Sequence, residues 1–418
     1  MKVVLQSARI LDPQSPHNGK SADLLIENGT IVSIGKNLTG DRVISSGNLC
    51  VSPGWFDLQV DFCDPGNEQK ETISSGAAAA AAGGFTGVLL MPSTQPVVQS
   101  KSEIEYLLRK AQGLLTDIFP AGALSHDLHG KDMAELYDMH LAGAKAFTDG
   151  HLPVSDAGLV VRTLLYTKTF GGKIFASCDE HSISLDGKMN EGPTSTALGL
   201  KGIPALAEEL MVARNMYLCE YAGAPLHFMN ISTARSAELI RAAKKQGLPV
   251  TAAVNVCNLA WDDSALHDFD TNLKVNPPLR SRTDIDALLA ALADGTIDVI
   301  TSDHRPEDPE SKVVEFDLAA FGMIGLETAF ALARTAAPKL PIEKLAAIFS
   351  ANPRRLLGIN VPSVKEGETA NLTVFDPDME WTFTEKDICS LSRNTPAVGM
   401  KLKGKALAVA NNGLWNFS

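Results

Sequence analysis

Residues 87–111, GVLLMPSTQPVVQSKSEIEYLLRKA, place a short apolar run ahead of an amphipathic segment. The run at 87–91 is typical of a buried strand, whereas Ile104, Leu107, Leu108 and Ala111 recur at the spacing of one helix face. The same order recurs after other apolar runs, at residues 144–148, 173–177, 225–231, 249–254 and 296–301. Such units build a parallel sheet covered by helices. About six to eight of them over about 300 residues favour one (β/α)8 barrel over two separate Rossmann domains.

Both ends of the chain show strand patterns without the intervening helices. Two apolar runs flank the pair Asn28-Gly29, a strong signal for a tight hairpin, and residues 371–375 and 401–409 alternate in the same way. We therefore expect an α/β protein, with a (β/α)8 TIM-type barrel and a small β-sandwich domain built from both chain termini. The expected boundaries are 1–51 for the first part of the small domain, 52–360 for the barrel and 361–418 for the second part.

The chain of 418 residues carries 37 Lys and Arg against 49 Asp and Glu, a formal net charge of −12. A surface of that sign repels phosphate backbones and anionic headgroups, so we expect neither nucleic acid nor a membrane as a partner. Hydrophobic residues at 45% and charged residues at 21% describe a folded globular chain. The six cysteines form no CxxC pair and the opening, MKVVLQSARILDP, has no signal-peptide pattern, which predicts a cytoplasmic location.

Polar side chains follow several of the expected strands. In barrels of this kind, catalytic groups lie at the carboxyl ends of the strands. Asp57, Gln59 and Asp61 share one face of the first barrel strand by their alternation, and Asp149 and Asp303 each follow a later strand. We expect the carboxylates of Asp61, Asp149 and Asp303 to converge at the barrel mouth.

Six motifs follow the order of one enzyme family along nearly the whole chain. They are PGWFDLQVDFCDPGNEQKETISSGAAAAAAGGFTGVLLMPSTQP at residues 53–96, LKVNPPLR at 273–280, TSDHRPE at 301–307, FGMIGLETA at 321–329, ANPRRLLG at 351–358 and NTP at 394–396. Together they resemble the dihydroorotases, cyclic amidohydrolases that open or close dihydroorotate in pyrimidine synthesis. The resemblance implies a metal-dependent barrel with a composite β domain, and zinc in the active relatives.

The metal positions of that family are where this chain departs most. They hold Gln59 and Asp61 (the family's HxH pair), Asp149 (the bridging acid), Ser177 and Asn230 (two later histidines) and Asp303 (the catalytic aspartate, kept in its TSDH context). Because every histidine of the set is replaced, we predict no metal or other cofactor. Should a metal bind, oxygen donors suit a hard divalent cation such as Mg²⁺, Mn²⁺ or Ca²⁺ better than Zn²⁺.

The substrate-binding positions implied by the resemblance are only partly kept. Cys63 stands where the family has a carboxylate-binding arginine, Ser93 replaces an asparagine, and Glu307 replaces a histidine. The unchanged positions are Asn276, Phe321 and Gly322. We expect Glu307 to repel an anionic substrate.

Other groups near the strand ends need separate expectations. We expect His304 to reach the pocket and Arg305 to serve as the counter-ion of Asp303, its neighbour in sequence. His151 and His181 are expected near the mouth as hydrogen-bonded or solvated side chains, not as metal ligands. A further set is expected to be buried without a chemical role: Cys63, Cys178, Cys257 and His227.

Two functions are compatible with these residues. The first is a dihydroorotase-family protein of de novo pyrimidine biosynthesis that is catalytically deficient and keeps a structural or partner-binding role, for example with aspartate transcarbamoylase. The second is an active cyclic amidohydrolase that converts dihydroorotate reversibly to N-carbamoyl-aspartate with an unusual oxygen-ligand metal site. In either case the resemblance implies a homodimer.

Overall fold

The computed structural model describes residues 1–417 and divides its strands between a parallel barrel, a mixed sheet and one two-stranded pair, Met189–Asn190 with Gly202–Ile203. In chain order the strands are β1 (Lys2–Ile10), β2 (Ser21–Glu27), β3 (Thr30–Gly35), β4 (Arg42–Ile44), β5 (Cys50–Pro53), β6 (Trp55–Val60), β7 (Phe85–Leu90), β8 (Asp117–Gly122), β9 (Ala146–Phe147), β10 (Ile174–Ala176), β11 (Met189–Asn190), β12 (Gly202–Ile203), β13 (Leu226–Phe228), β14 (Val250–Asn255), β15 (Val299–Thr301), β16 (Leu372–Thr382), β17 (Lys401–Asn411) and β18 (Leu414–Phe417).

The α-helices lie between the barrel strands and after them. They are α1 (Ile73–Ala82), α2 (Lys101–Lys110), α3 (Leu136–Ala142), α4 (Ala157–Lys168), α5 (His181–Ser184), α6 (Pro193–Leu198), α7 (Ala205–Ala222), α8 (Ala234–Lys245), α9 (Cys257–Ala260), α10 (Arg282–Asp294), α11 (Pro309–Lys312), α12 (Ala329–Ala336), α13 (Ile342–Phe349) and α14 (Ala351–Leu357). Within residues 1–417, no helix has the length and apolar character needed to cross a bilayer.

The barrel sheet runs in the order β6-β7-β8-β9-β10-β13-β14-β15, with parallel pairing at every step. Its two edges meet just beyond β6 and β15, where Val60 pairs in parallel with His304. There the amide of Asp61 donates to the carbonyl oxygen of His304 at 2.8 Å. The predicted α/β barrel is confirmed, and its closure brings the polar end of β6 beside the segment that follows β15.

The sequence pattern does not predict one barrel strand, β8. Pro120 interrupts the apolar run of β8, and proline normally marks an edge strand because it cannot donate to the ladder. In the structure its carbonyl oxygen still accepts the amide of Lys145 at 3.0 Å, so β8 stays in the sheet. The predicted strand at residues 144–148 is correspondingly short and pairs only through Ala146 and Phe147.

The first two barrel helices follow their local sequence. Ser100 begins α2 as part of a capping box, in which the Glu103 carboxylate accepts the amide of Ser100 at 2.8 Å, and Ile104 is fully buried as the periodicity predicts. In α1, a Cβ atom at Gly76 would lie 2.3 Å from the ring of Phe62. The small side chains of α1 therefore let the helix lie close against the first barrel strand.

Strands from both chain ends form one sheet, in the order β18-β17-β16-β5-β1-β2-β3 with β4 beside β1. The central joint is β5, which pairs in parallel with β1 and antiparallel with β16. The predicted hairpin at Asn28-Gly29 joins β2 and β3, and a separate cluster of buried apolar side chains lies within this sheet. The predicted contact between the two termini is therefore present, whereas the boundaries 1–51, 52–360 and 361–418 stay a prediction.

A buried arginine links the barrel to this sheet. The Arg354 guanidinium donates to the carbonyl oxygen of Gly54 and, at 3.0 Å, to the hydroxyl of Thr86. The Thr86 hydroxyl in turn donates to the side-chain oxygen of Asn371 at 2.7 Å. Burial lowers the pKa of Arg354 to about 10, so the guanidinium keeps its charge and these bonds at neutral pH.

His227 lies inside the barrel wall on β13. Its Nδ1 atom is 2.9 Å from the Thr251 hydroxyl, and its ring centroid is 4.4 Å from that of Phe175. Burial lowers the pKa of His227 from 6.5 to about 3. The imidazole is therefore a neutral core side chain, as predicted.

This burial predicts an acid-sensitive term in stability. The folded-state pKa of His227 lies below its unfolded value. Between pH 6.5 and about 3, the unfolded chain therefore takes up a proton that the folded chain does not. The contribution of His227 to stability is full above this window and is lost as the pH falls through it. We expect urea unfolding to show that the wild type loses about 2 kcal/mol more stability than His227→Gln between pH 7 and pH 5. His267→Gln, at an exposed histidine, should lose as much as the wild type, and equal losses for all three proteins would contradict the prediction.

Candidate functional site

Beneath the site, Asp57 connects the two segments that close the barrel. Its fully buried carboxylate accepts the amide of Ser302 at 2.7 Å from across the joint and the amide of Gln59 at 2.9 Å from its own strand. Burial raises the pKa of Asp57 to about 6, against the opposing effect of those amides. Asp57 thus supports the site from beneath, by fixing β6 against the loop that carries Asp303.

Asp303 and Gln59 meet directly above this joint. The Gln59 side-chain amide donates to Asp303 Oδ1 at 2.6 Å, and the Asn255 side-chain amide donates to Asp303 Oδ2 at 2.9 Å. Burial raises the pKa of Asp303, although the charges of His151 and Arg305 oppose that effect. Both carboxylate oxygens of Asp303, the family's catalytic aspartate, are therefore engaged by amide N–H groups.

His151 lies between the two carboxylates at the mouth. Its Nε2 atom is 3.1 Å from Asp61 Oδ2 and 3.7 Å from Asp303 Oδ1. The Ser93 hydroxyl donates to the other oxygen of Asp61. Burial acts to raise the pKa of Asp61, but the hydrogen bond to His151 and the nearby cations bring it below its ordinary value. His151 is hydrogen-bonded at the mouth, as predicted, and it holds Asp61 in its charged form.

Asp149 reaches the mouth but turns its oxygens into a loop. It accepts the amides of Leu124 at 2.9 Å and Ser125 at 2.8 Å, and the Ser125 hydroxyl as well. Burial raises the pKa of Asp149. Asp149 therefore lines the mouth cavity with Asp61, as expected, but donors of the loop after β8 already engage its oxygens.

Ser177 and Asn230 line a small cavity of about 20 Å³, next to Gln59 and His151. The Asn230 side-chain oxygen accepts the Thr301 hydroxyl at 2.7 Å, while its buried NH₂ group has no partner. A space of this size holds one water molecule, which would supply the missing acceptor. Asn276 lies on the same wall.

The residues at the family's metal positions do not fit a pair of zinc ions. Zinc binds converging imidazole, thiolate or carboxylate donors, whereas Gln59 turns its NH₂ group to Asp303 and the oxygen of Asn230 is bonded to a threonine. Burial raises the pKa of the neighbouring Cys178 thiol, which keeps it protonated. Throughout the described part of the chain, no group of three or more His, Cys, Asp and Glu side chains is placed to hold a metal ion.

The mouth itself opens into a cavity of about 250 Å³. It is lined by Asp61, Cys63, Asn67, Lys70, Ser93, Leu128, Asp149, His151, Leu152, Arg305, Pro306 and Glu307. Cys63, expected to be buried, is only partly buried and lines this cavity, and the desolvation it does experience raises the pKa of its thiol. The cavity therefore contains all three replaced substrate positions, Cys63, Ser93 and Glu307, and cations as well as acids.

The expectation that Glu307 repels anions needs correction. Its carboxylate lies 2.6 Å from Lys70 Nζ and 3.8 Å from Arg305 Nε, so two cations compensate its charge. Arg305, expected to pair with Asp303, makes its nearest ionic contact with Glu307 and reaches Asp61 and Asp303 only through its longer-range field. Sequence reasoning missed Lys70, although it lies within the long motif after β6.

Phe321 and Gly322 support the mouth without lining either cavity. The Phe321 ring lies 5.1 Å from the ammonium of Lys274, and the Gly322 amide donates to the carbonyl oxygen of Lys274 at 3.0 Å. With φ at +148°, a Cβ atom at Gly322 would lie 2.9 Å from the carbonyl oxygen of Arg305. This turn therefore fixes the backbone of Arg305.

His304 lies elsewhere than expected, whereas His181 is solvent-exposed, one of the two states expected for it. His304 is fully buried behind the mouth, where its Nδ1 accepts the amide of Gly325 at 3.2 Å and its Nε2 faces the Glu71 carboxylate at 3.4 Å. His181 is exposed at the start of α5. The prediction of His304 as a pocket residue is wrong, because the left-handed turn at Asp303, with φ of +48°, sends the two side chains in different directions.

A parallel barrel with its polar groups at the carboxyl ends of the strands, joined to a sheet from both termini, defines an amidohydrolase-type protein. A family model described as Amidohydrolase family matches residues 174–413, and one described as Dihydro-orotase-like matches residues 47–236. Among solved structures, L-hydantoinase (dihydropyrimidinase) from Arthrobacter aurescens superposes with a TM-score of 0.84 over 99% of this chain and 95% of that one. At 22% identity this likeness shows the fold.

Sequence relatives narrow the class. The chain is 39% identical to a dihydroorotase of Geobacter sp. (strain M21) over 99% of this chain and 98% of that protein. It is 42% identical to a dihydroorotase of Pelotomaculum thermopropionicum, again over 99% and 98%. The chain belongs to the dihydroorotase family, which confirms the resemblance seen in its motifs.

The placement of His151 predicts a measurable coupling to Asp61. Both side chains are largely buried and their polar atoms are in hydrogen-bond contact, so a double-mutant cycle of His151→Ala and Asp61→Asn should give a coupling free energy of about 1–3 kcal/mol in urea unfolding at pH 6. The exposed pair Arg235 and Glu238, 2.9 Å apart, should give less than about 0.5 kcal/mol in the matched cycle Arg235→Ala and Glu238→Gln. Equal coupling in both cycles would show that His151 is not held as described.

Proposed function

We propose that this chain is a cytoplasmic protein of pyrimidine biosynthesis that has lost metal-dependent ring hydrolysis and serves as a binding partner of aspartate transcarbamoylase. One observation carries the first half of this proposal: the His151 imidazole lies between Asp61 and Asp303, 3.1 Å from an oxygen of the first and 3.7 Å from an oxygen of the second. The relatives named dihydroorotase support the assignment to the pathway.

The chemistry of ring opening explains why this arrangement matters. A cyclic amide is hydrolysed when a water molecule is activated, usually by a metal that lowers its pKa to about 7, and when a base removes its proton. Asp303 would have to be that base, but its oxygens accept the amides of Gln59 and Asn255. A carboxylate engaged in this way is held in place, and each of its oxygens already has an amide N–H donor when a water molecule would need it.

The binding half of the proposal rests on what the chain keeps. The barrel, its closure, the terminal sheet and the cavity of about 250 Å³ are all present, so the chain can present a complete, rigid surface. A folded surface without turnover is what a structural subunit requires. The partner is inferred from the resemblance, in which inactive members associate with aspartate transcarbamoylase.

The alternative is an active cyclic amidohydrolase with an oxygen-ligand metal site. Asp61 and Asp149 line the same mouth cavity, and Asp303 lies 3.7 Å from His151, so movement of that imidazole would expose acidic oxygens to a hard cation. This function would require the imidazole of His151 to leave both carboxylates. It is distinguished from the first by metal-dependent turnover.

Turnover therefore tests the first half. We expect the purified chain, supplied in turn with Zn²⁺, Mn²⁺ and Mg²⁺, to convert dihydroorotate and N-carbamoyl-aspartate no faster than its own Asp303→Asn variant, because any rate common to both proteins comes from contamination. Metal content of the purified protein is measured alongside by elemental analysis. A metal-dependent rate that disappears in Asp303→Asn would establish the alternative.

Association tests the second half. We expect sedimentation velocity to show a stable complex when the chain is mixed with aspartate transcarbamoylase from the same organism, since the retained surface is the proposed reason for the protein. An active dihydroorotase from one of the relatives, with its own transcarbamoylase absent, serves as the comparison for nonspecific association. Independent sedimentation of the two proteins at micromolar concentrations would contradict the partner role whatever the outcome of the turnover assay.

A further inference from the structure

Helix α7 has an apolar face on each side. The inward face, which includes Met211, Val212 and Cys219, is buried against the barrel. On the opposite face, Tyr217 and Tyr221 are 72% and 77% exposed. A surface helix of a globular protein normally turns charged and polar residues outward, so this second face calls for a cover.

The outward face forms a continuous stripe, the α7 stripe, made of Leu206, Leu210, Ala213, Tyr217 and Tyr221. At 100° per residue these positions fall within an arc of about 80° and extend over about 22 Å of helix. Leu206 and Leu210 are 55% and 48% exposed, and the small Ala213 lies at the middle. The centre of the stripe can therefore approach another helix closely.

The spacing of the stripe is symmetric about its midpoint, between positions 213 and 214. Leu206 and Tyr221 lie at equal distances on either side of this midpoint, and so do Leu210 and Tyr217, closer to it. If two copies of the stripe meet in antiparallel orientation around a two-fold axis at this midpoint, each leucine of one copy faces a tyrosine of the other. Such self-complementarity is what an isologous interface requires.

We propose that the α7 stripe is the contact surface of a homodimer, packed antiparallel against the same stripe of a second copy of this chain. The exposed parts of its large side chains amount to roughly 500 Å² per copy, or about 1,000 Å² for the pair, which is the size at which specific interfaces begin. A partner that is an unrelated protein would need its own matching stripe, whereas the second copy supplies one by symmetry.

Neighbouring groups are compatible with this packing. The Arg214 guanidinium turns toward the start of α4, where it donates to the carbonyl oxygens of Val154 at 2.8 Å and Ser155 at 2.9 Å, so its charge leaves the middle of the stripe clear. Glu209 and Glu220 lie at one edge, where water and salt screen them from their counterparts. Leu165 and Tyr166, both exposed on α4, extend the apolar surface.

The first test measures the oligomeric state of the full chain by sedimentation equilibrium. We expect a dimer at micromolar concentrations, and we expect Leu210→Glu and Tyr217→Glu each to raise the dissociation constant on the order of 100-fold or more, because a charge is placed at the centre of an apolar contact. Leu141→Glu, at a 66% exposed leucine on α3, is the matched control and should leave the constant unchanged. Circular dichroism and melting temperature verify that all three variants fold.

The second test measures orientation by oxidative cross-linking after Cys389, the exposed cysteine, has been replaced in Cys389→Ser. Ala213→Cys should cross-link to itself, since this position adjoins the proposed axis. Leu206→Cys should not cross-link to itself but should do so when mixed with Tyr221→Cys, because those positions meet only in the antiparallel arrangement.

Several results would overturn the proposal. They are a monomeric wild type, a dimer that Leu210→Glu and Tyr217→Glu leave intact, and self-cross-linking of Leu206→Cys without that of Ala213→Cys. Binding of aspartate transcarbamoylase in place of a second copy at this face would overturn it as well. None of these results depends on whether the chain turns over dihydroorotate.

Discussion

The joint between β6 and the segment after β15 is the constraint on which both fold and site depend. A parallel barrel is stable only when its last strand meets its first, and here the strands themselves do not provide the whole ladder. Closure relies on the backbone contact of Asp61 with His304 and on the buried carboxylate of Asp57, which accepts the Ser302 amide from across the joint. Gln59 and Asp61 lie at the end of β6, and Asp303 follows β15. Closing the barrel between these two segments therefore brings the three side chains together. The closeness of these side chains is a direct result of how the barrel is closed.

Each of these acids is compensated by a different local device. Asp61 has His151 and a serine hydroxyl, Asp303 has two side-chain amides, and Asp149 has backbone amides from its neighbouring loop. Glu307 has Lys70 and Arg305. Buried carboxylates without such partners would cost several kcal/mol each. These partners therefore explain how the mouth accommodates several buried carboxylates, although the chain has a net charge of −12.

Local patterns in the sequence were sufficient for the fold and for part of the site. Repeated strand and helix periodicity predicts the barrel, and the hairpin at Asn28-Gly29 predicts the start of the terminal sheet; β8 escapes because Pro120 breaks its pattern. Strand-end position correctly places Asp61 and Asp303 at the mouth. It fails for His304, since the left-handed turn at Asp303 decides where that side chain points and sequence spacing does not encode the turn. It also does not show that loop amides engage the oxygens of Asp149. It also cannot show that Lys70 reaches Glu307, a contact between residues 237 positions apart.

The same geometry limits what a retained motif can mean. Asp303 stands in its family context, TSDH, and that context is normally taken as a sign of catalysis. In this chain, however, the neighbours of Asp303 have structural tasks: Ser302 bonds to Asp57, and His304 carries the backbone contact that closes the barrel. Asp303 itself holds Gln59 of the first strand and Asn255 of β14. A chain that no longer used the aspartate as a base would still need this motif to close its barrel. Its presence is therefore evidence for the fold first, and the state of His151 is the observation that bears on chemistry.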